Sequence, residues 1–142
     1  MIRTCASCGQ KNRVSAEHLL DAVRCGECKV EMGAIAEPID ADAEVFDSVL
    51  KHSAGPVLVD FWAEWCGPCR RVAPEVKHVA KAMAGRAVVL KVNTEQHPEL
   101  AARYGVNSIP NFVVLSKGRI VSQQAGSVGH AQMQQWLEEA GA

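Results

Sequence analysis

The chain has 142 residues, 48% of them hydrophobic, with 15 basic and 16 acidic side chains and six cysteines. That is enough apolar material for one real core, so stability need not come from disulfides. A net charge of −1 with no charged arm leaves no footprint for nucleic acid or an anionic membrane. No run of about 18 apolar residues marks a membrane span either.

The N-terminal stretch "MIRTCASCGQKNRV" lacks the apolar core of a secretion signal, so a cytoplasmic location is expected. Thiols stay reduced there, and Cys pairs then read as metal ligands or redox catalysts rather than structural bridges. Residues 1–33 form a first unit with few large apolar residues and no sustained period. Within it Cys5-x2-Cys8 and Cys25-x2-Cys28 are separated by sixteen residues, the four-cysteine zinc spacing. Each two-residue gap makes a tight turn that aims both sulfurs at one point, and two such turns close a tetrahedral site. Gly9 and Gly26 suit the sharp bends. One zinc ion on four thiolates is expected, with metal binding supplying folding free energy that so small an apolar content cannot. Short disulfides, free thiols or iron are the alternatives. A closed thiolate shell leaves no open position for metal-assisted chemistry, so the site reads as structural or as a redox-sensitive clip whose oxidation ejects the metal.

Residues 34–142 alternate between strand and helix. "GAIAEPID" reads as a short strand, and "DAEVFDSVLKHS" as a helix with Asp42 near its start and Val45, Phe46, Val49 and Leu50 on one face. "PVLVDFW" is a buried strand. "GPCRRVAPEVKHVAKAMAG" is a long helix, expected to kink at Pro74 and stop at Gly85. "AVVLKVN" is another apolar strand, and "HPELAARYG" a short helix closed by Gly105. "NFVVLSKGRIVSQQAG" makes two strands around a Lys117-Gly118 turn, and "GHAQMQQWLEEA" a final helix with Met133, Trp136 and Leu137 inward. The order β-α-β-α-β-α-β-β-α implies parallel βαβ units ending in an antiparallel hairpin. The five histidines follow no ligand pattern and are expected at the surface.

The third cysteine pair, in "WCGPC", follows a buried strand and opens a long helix. Cys66 at the helix N-terminus meets unpaired N–H groups and the positive end of the dipole, which favour a thiolate. A lowered thiol pKa makes it both nucleophile and leaving group, with Cys69 one turn further in as its disulfide partner. Pro68 stiffens the loop where the helix has donors to spare. Asp60 stands alone in an apolar strand. Burial would raise its pKa and suit it to proton transfer, unless it faces water at the strand end. Lys91 is equally out of place and could reach water along its stem. Trp62 reads as partly core and Trp65 as an exposed docking surface. Ile109-Pro110 on its own is an ordinary turn.

From about residue 36 onward the chain resembles the thioredoxin family, carried by "DFWAEWCGPC", "PEV", "LKVNTE", "YGVNSIPNF" and the "AG" before the last helix. With two cysteine knuckles in front, it resembles the zinc-containing bacterial members. The resemblance implies a thioredoxin fold, a central mixed sheet flanked by helices, behind a small zinc module. Cys66 and Cys69 become the redox couple, Asp60 the buried acid paired with Lys91, and Ile109-Pro110 a cis step facing the active site. Trp65, Gly67, Pro68, Ile109, Pro110 and Gly126 would form the substrate groove. Asn111 departs from the threonine common after that proline, with an effect expected on substrate preference. The implied activity is general protein disulfide reduction by a monomer. Its partners would be disulfide-containing proteins and an NADPH-dependent thioredoxin reductase, with no organic cofactor of its own.

Overall fold

The computed structural model describes residues 1–142. The N-terminal part is two small antiparallel hairpins. Strand β1 (Ile2–Thr4) pairs with β2 (Lys11–Arg13), and β3 (Val23–Arg24) with β4 (Glu31–Met32). Both hairpin loops are built alike, the Cys5 and Cys25 amides each donating to the carbonyl just before the strand resumes, that of Gln10 or Val30. The residue after the second cysteine of each loop has positive φ: Gly9 at 77° and Lys29 at 62°. Gly26 was expected to supply the bend of the second loop. It does not, because the left-handed position falls three residues later, on Lys29.

The remainder follows the order β5 (Ile39–Asp40), α1 (Ala43–His52), β6 (Val57–Trp62), α2 (Gly67–Ala82), β7 (Val88–Asn93), α3 (Pro98–Arg103), β8 (Asn111–Ser116), β9 (Arg119–Ala125), α4 (His130–Glu139). The five strands form one sheet in the order β5-β7-β6-β8-β9. Strands β5, β7 and β6 run parallel, and β8 and β9 continue antiparallel. Strand β5 is shorter than "GAIAEPID" suggests. Pro38 has no N–H to give a ladder, and pairing is confined to Ile39 and Asp40 opposite Leu90 and Lys91. Helix α2 ends at Ala82, three residues before the left-handed Gly85 (φ 84°), in a turn closed by Arg86 N–H to the Met83 carbonyl. The Lys117-Gly118 turn has both residues at positive φ, which matches the twist of the strands it joins.

Strand alternation sorts the core onto two faces. Val57, Val59 and Phe61 of β6 pack with Leu90, Val92, Val113 and Leu115 toward α1 and α3. Leu58 packs with Val89, Phe112 and Val114 against α2 and α4, where Val76, Val79, Met133 and Leu137 are buried. Asp60, in step with Leu58, therefore faces the layer that begins at the N-terminus of α2. Val14, Ala16 and Leu19, from the N-terminal part, are buried in the first of these clusters, so the hairpins sit directly on the core.

Candidate active site and thiol cluster

At the C-terminal end of β6 the chain turns through Ala63 and Trp65 into α2, with Cys66 as N-cap. Its Sγ accepts the Cys69 amide at 3.2 Å, one of the otherwise unpaired donors of the first helical turn. Gly67 and Pro68 fill the first turn, where a missing N–H costs nothing. Cys66 and Cys69 are joined in a disulfide, Cα to Cα 5.2 Å, and each is 3% exposed. Ala63, Trp62 and Ile109 pack around them. The Ile109-Pro110 peptide is cis, and the Ile109 carbonyl oxygen lies 3.8 Å from Cys66 Sγ. Pro110 is held in turn by its carbonyl, which accepts the Gly126 amide at 2.8 Å. Gly126 takes φ 95°, a conformation that its lack of a Cβ permits.

The rim is asymmetric. Trp65 is 65% exposed, and its indole N–H is hydrogen-bonded to the Glu95 carboxylate from the loop after β7. A cleft of about 390 Å³ separates Trp65 from the segment Val106–Ile109. Sequence reading missed Glu95. It lies 30 residues from its partner, and an acid in a turn carries no local signal.

On the face of β6 that it shares with Leu58, Asp60 is 1% exposed and its Oδ1 has no hydrogen-bond partner. Burial pushes this carboxyl up from 3.8 to about 7, with the positive charge of Lys91 pulling the other way. Lys91 is the β7 residue directly opposite Asp60, and its ammonium sits 4.4 Å from the centre of the Trp62 ring. Lys91 and Trp62 also line a polar cavity of about 390 Å³ on the solvent side, together with Asp40 and Glu64. A buried carboxyl that titrates near neutrality beside a cation can take up and release a proton under ordinary conditions.

At the other end of the chain, Cys5, Cys8, Cys25 and Cys28 place their four sulfurs within 4.8 Å of one another. Cys5 to Cys28 is 3.7 Å and Cys8 to Cys25 is 3.6 Å. A tetrahedron with metal–sulfur bonds of about 2.3 Å has edges of about 3.8 Å, so the set fits zinc. The thiols are already differentiated. The Cys28 amide, with the Asn12 side chain, holds Cys25 down at about 6. Cys8, despite the Gln10 amide, is pushed up to about 12 by loss of hydration among the other three sulfurs and by their hydrogen bonds. Asn12 was also missed in the sequence. It donates to Cys25 Sγ at 3.5 Å and accepts the Gly26 amide at 2.9 Å, tying the two hairpins together at the cluster.

No helix is long and apolar enough to cross a membrane. The family model described as Thioredoxin matches residues 37–139, and that described as Thioredoxin 2, N-terminal, matches residues 4–30. Thioredoxin C-3 of Corynebacterium nephridii is 41% identical over 139 residues, covering 98% of this chain and 94% of its own. Thioredoxin 1 of Nostoc sp. is 44% identical over 105 residues, covering 71% of this chain and 98% of its own. Among solved structures, a mutant thioredoxin from Halobacterium salinarum superposes with a TM-score of 0.71 at 28% identity, covering 78% of this chain and 96% of its own. With the Cys66–Cys69 disulfide at the head of α2, these matches establish that the chain belongs to the thioredoxin family, zinc-containing type, and is a thiol–disulfide oxidoreductase.

Proposed function

We propose that the protein is a general protein disulfide reductase in which Cys66 is the attacking thiol and Cys69 the resolving one. In the reduced form the Cys66 thiolate attacks one sulfur of a target disulfide, forming a mixed disulfide and expelling the other target sulfur as a thiolate. Cys69 then gives its proton to the Asp60 carboxylate and attacks the Cys66 sulfur. The second target thiolate leaves, and the Cys66–Cys69 disulfide stores the two electrons' worth of oxidation. The protonated Asp60 returns its proton toward the polar cavity beside Lys91. A target segment would lie extended along Trp65, Gly67, Pro68, Ile109, Pro110 and Gly126, held by backbone contacts. A thioredoxin reductase drawing on NADPH would restore the dithiol, and the protein works as a monomer in the cytoplasm.

The observation that carries this reading is the placement of Cys66 as N-cap of α2, where its sulfur already accepts a backbone N–H. The charge that a thiolate would carry meets a donor and the helix dipole there. Cys5, Cys8, Cys25 and Cys28 would hold one zinc ion, which supplies a fold-closing cross-link and no reaction step. Residues 1–33 and 34–142 act as separate units in this reading, the first structural and the second catalytic. Trapping tests the thiol assignment: Cys69→Ser should accumulate mixed disulfides with protein substrates, and Cys66→Ser none. Equal trapping by both variants would refute it.

A further inference from the structure

Two polar residues are buried in this protein, Asp60 and Asn111. Asp60 has a role in the reaction above, and Asn111 has none. A buried amide is retained only when something meets its hydrogen-bonding groups, and what meets this one is informative. Asn111 opens β8, directly after Pro110, and its Oδ1 accepts from Gln123 Nε2 at 3.2 Å. Gln123 lies on the edge strand β9 opposite Val113, diagonal to Asn111, within reach of a long side chain. The same Nε2 donates to the Tyr104 carbonyl at 3.0 Å, where α3 ends. One amide therefore spends both hydrogens on the two ends of a single loop, residues 105–110.

That loop is the one that matters for docking. Val106, Ser108 and Ile109 form one wall of the cleft facing Trp65, and the Ile109 carbonyl stands beside Cys66 Sγ. At the loop's start the amides of Gly105 and Val106 bond back to Ala102 and Ala101, within the end of α3. At its far end Gly126 holds Pro110 to β9. The Gln123 amide is the side-chain bridge that joins one end to the other, and so fixes the distance across the base of the wall.

We propose that Gln123, acting through Asn111 and the Tyr104 carbonyl, is a positioning residue that sets the width of the cleft beside Trp65 and with it the affinity for protein disulfides. The cleft would receive an apolar side chain of the target next to its reactive cysteine. The inference rests on the disulfide-reductase reading. A small disulfide that touches only the cysteines has no use for this wall.

Gln123→Glu tests it with little change of shape. The carboxylate offers no hydrogens and sets charge against two acceptor oxygens. Reduction is measured on insulin and on the small aromatic disulfide dithionitrobenzoate. Losing both hydrogen bonds at the base of the wall should raise KM for insulin roughly five- to tenfold. The kcat for insulin and the rate with the small disulfide should stay within about twofold. Gln123→Lys, whose ammonium can donate to both oxygens, should recover most of the insulin KM. Unchanged insulin KM in the Glu variant would overturn the proposal. So would an equal loss on both substrates, since that marks damage to the cysteine chemistry or the fold. A parent chain that reduces neither substrate would overturn the reductase reading along with it.

Discussion

Burial lifts the Asp60 carboxyl to about 7 while an unfolded chain would leave it at 3.8, and the difference links its protonation to stability. Between these two values the native state holds a proton that the unfolded state releases. Stability is therefore highest below the unfolded pKa, falls as pH rises toward the folded pKa, and is flat beyond it. Asp60→Asn removes the titration and supplies a neutral side chain of the same size. It should be more stable than the parent above pH 7 by roughly 2–4 kcal/mol and similar to it below about pH 4, as read by denaturant unfolding across that range. The same variant should lose the rise in mixed-disulfide resolution through about pH 7, because the proposed proton acceptor for Cys69 is gone. A parallel pair of stability profiles would remove the burial argument. Asp60 also shows where sequence reading ends. Its isolation among apolar residues was legible, and water at the strand end was the lesser alternative until the strand register placed it on the face toward α2. Glu95, Asn12 and Gln123 left no trace at all. Each acts on a partner 12 or more residues away, and each looks like any polar residue in a turn or on a largely exposed strand.

The helices and central strands were legible because their periods are unambiguous. Strand β6 is a run of five buried residues and α1 keeps Phe46 and Val49 on one face. Asp42, expected near the start of α1, is its N-cap, with Oδ1 accepting the Val45 amide at 2.8 Å. Asp42→Ala should cost about 1 kcal/mol and lower the thermal midpoint by about 3–5 °C, leaving disulfide reduction unchanged. A drop in activity larger than the loss of folded protein would show that the Asp42 carboxylate itself, which also lines the polar cavity, helps to carry the proton away from Asp60. The N-terminal hairpins were not legible as strands. Their strands are two or three residues long, too short to show alternation, and what sets them is the geometry of the sulfur turns. Leu19 escaped notice for a related reason. It is fully buried, yet it comes just after a single 3-10 turn (Ala16–His18), too short an element to present a helical face.

Taken whole, the molecule has its metal-binding cluster and its redox couple attached to different parts of one core. The cluster of 13 buried residues under α2 and α4 contains nothing from residues 1–33, whereas the cluster of 18 takes Val14, Ala16 and Leu19 from them. Leu20, from the same segment, reaches Gly55, where an added Cβ would come within 2.9 Å of it. Gly55 precedes β6 and Cys66 follows it, so this contact and the disulfide lie at opposite ends of a strand about 20 Å long. Metal removal should therefore act on stability and not on chemistry. Stripping the metal from the intact reduced protein with a chelator should melt the two hairpins, since four sulfurs without a cation cannot hold the turns together. Because Leu19 and Val14 then lose their anchorage, the thermal midpoint of the whole chain should fall by several degrees, about what partial exposure of two aliphatic side chains implies. The kcat and KM for insulin, measured well below that midpoint, should stay within about twofold of the metal-loaded protein. Activity that falls in proportion to the metal released would mean instead that the hairpins brace the active site through β6, and the separation of the two units would have to be given up.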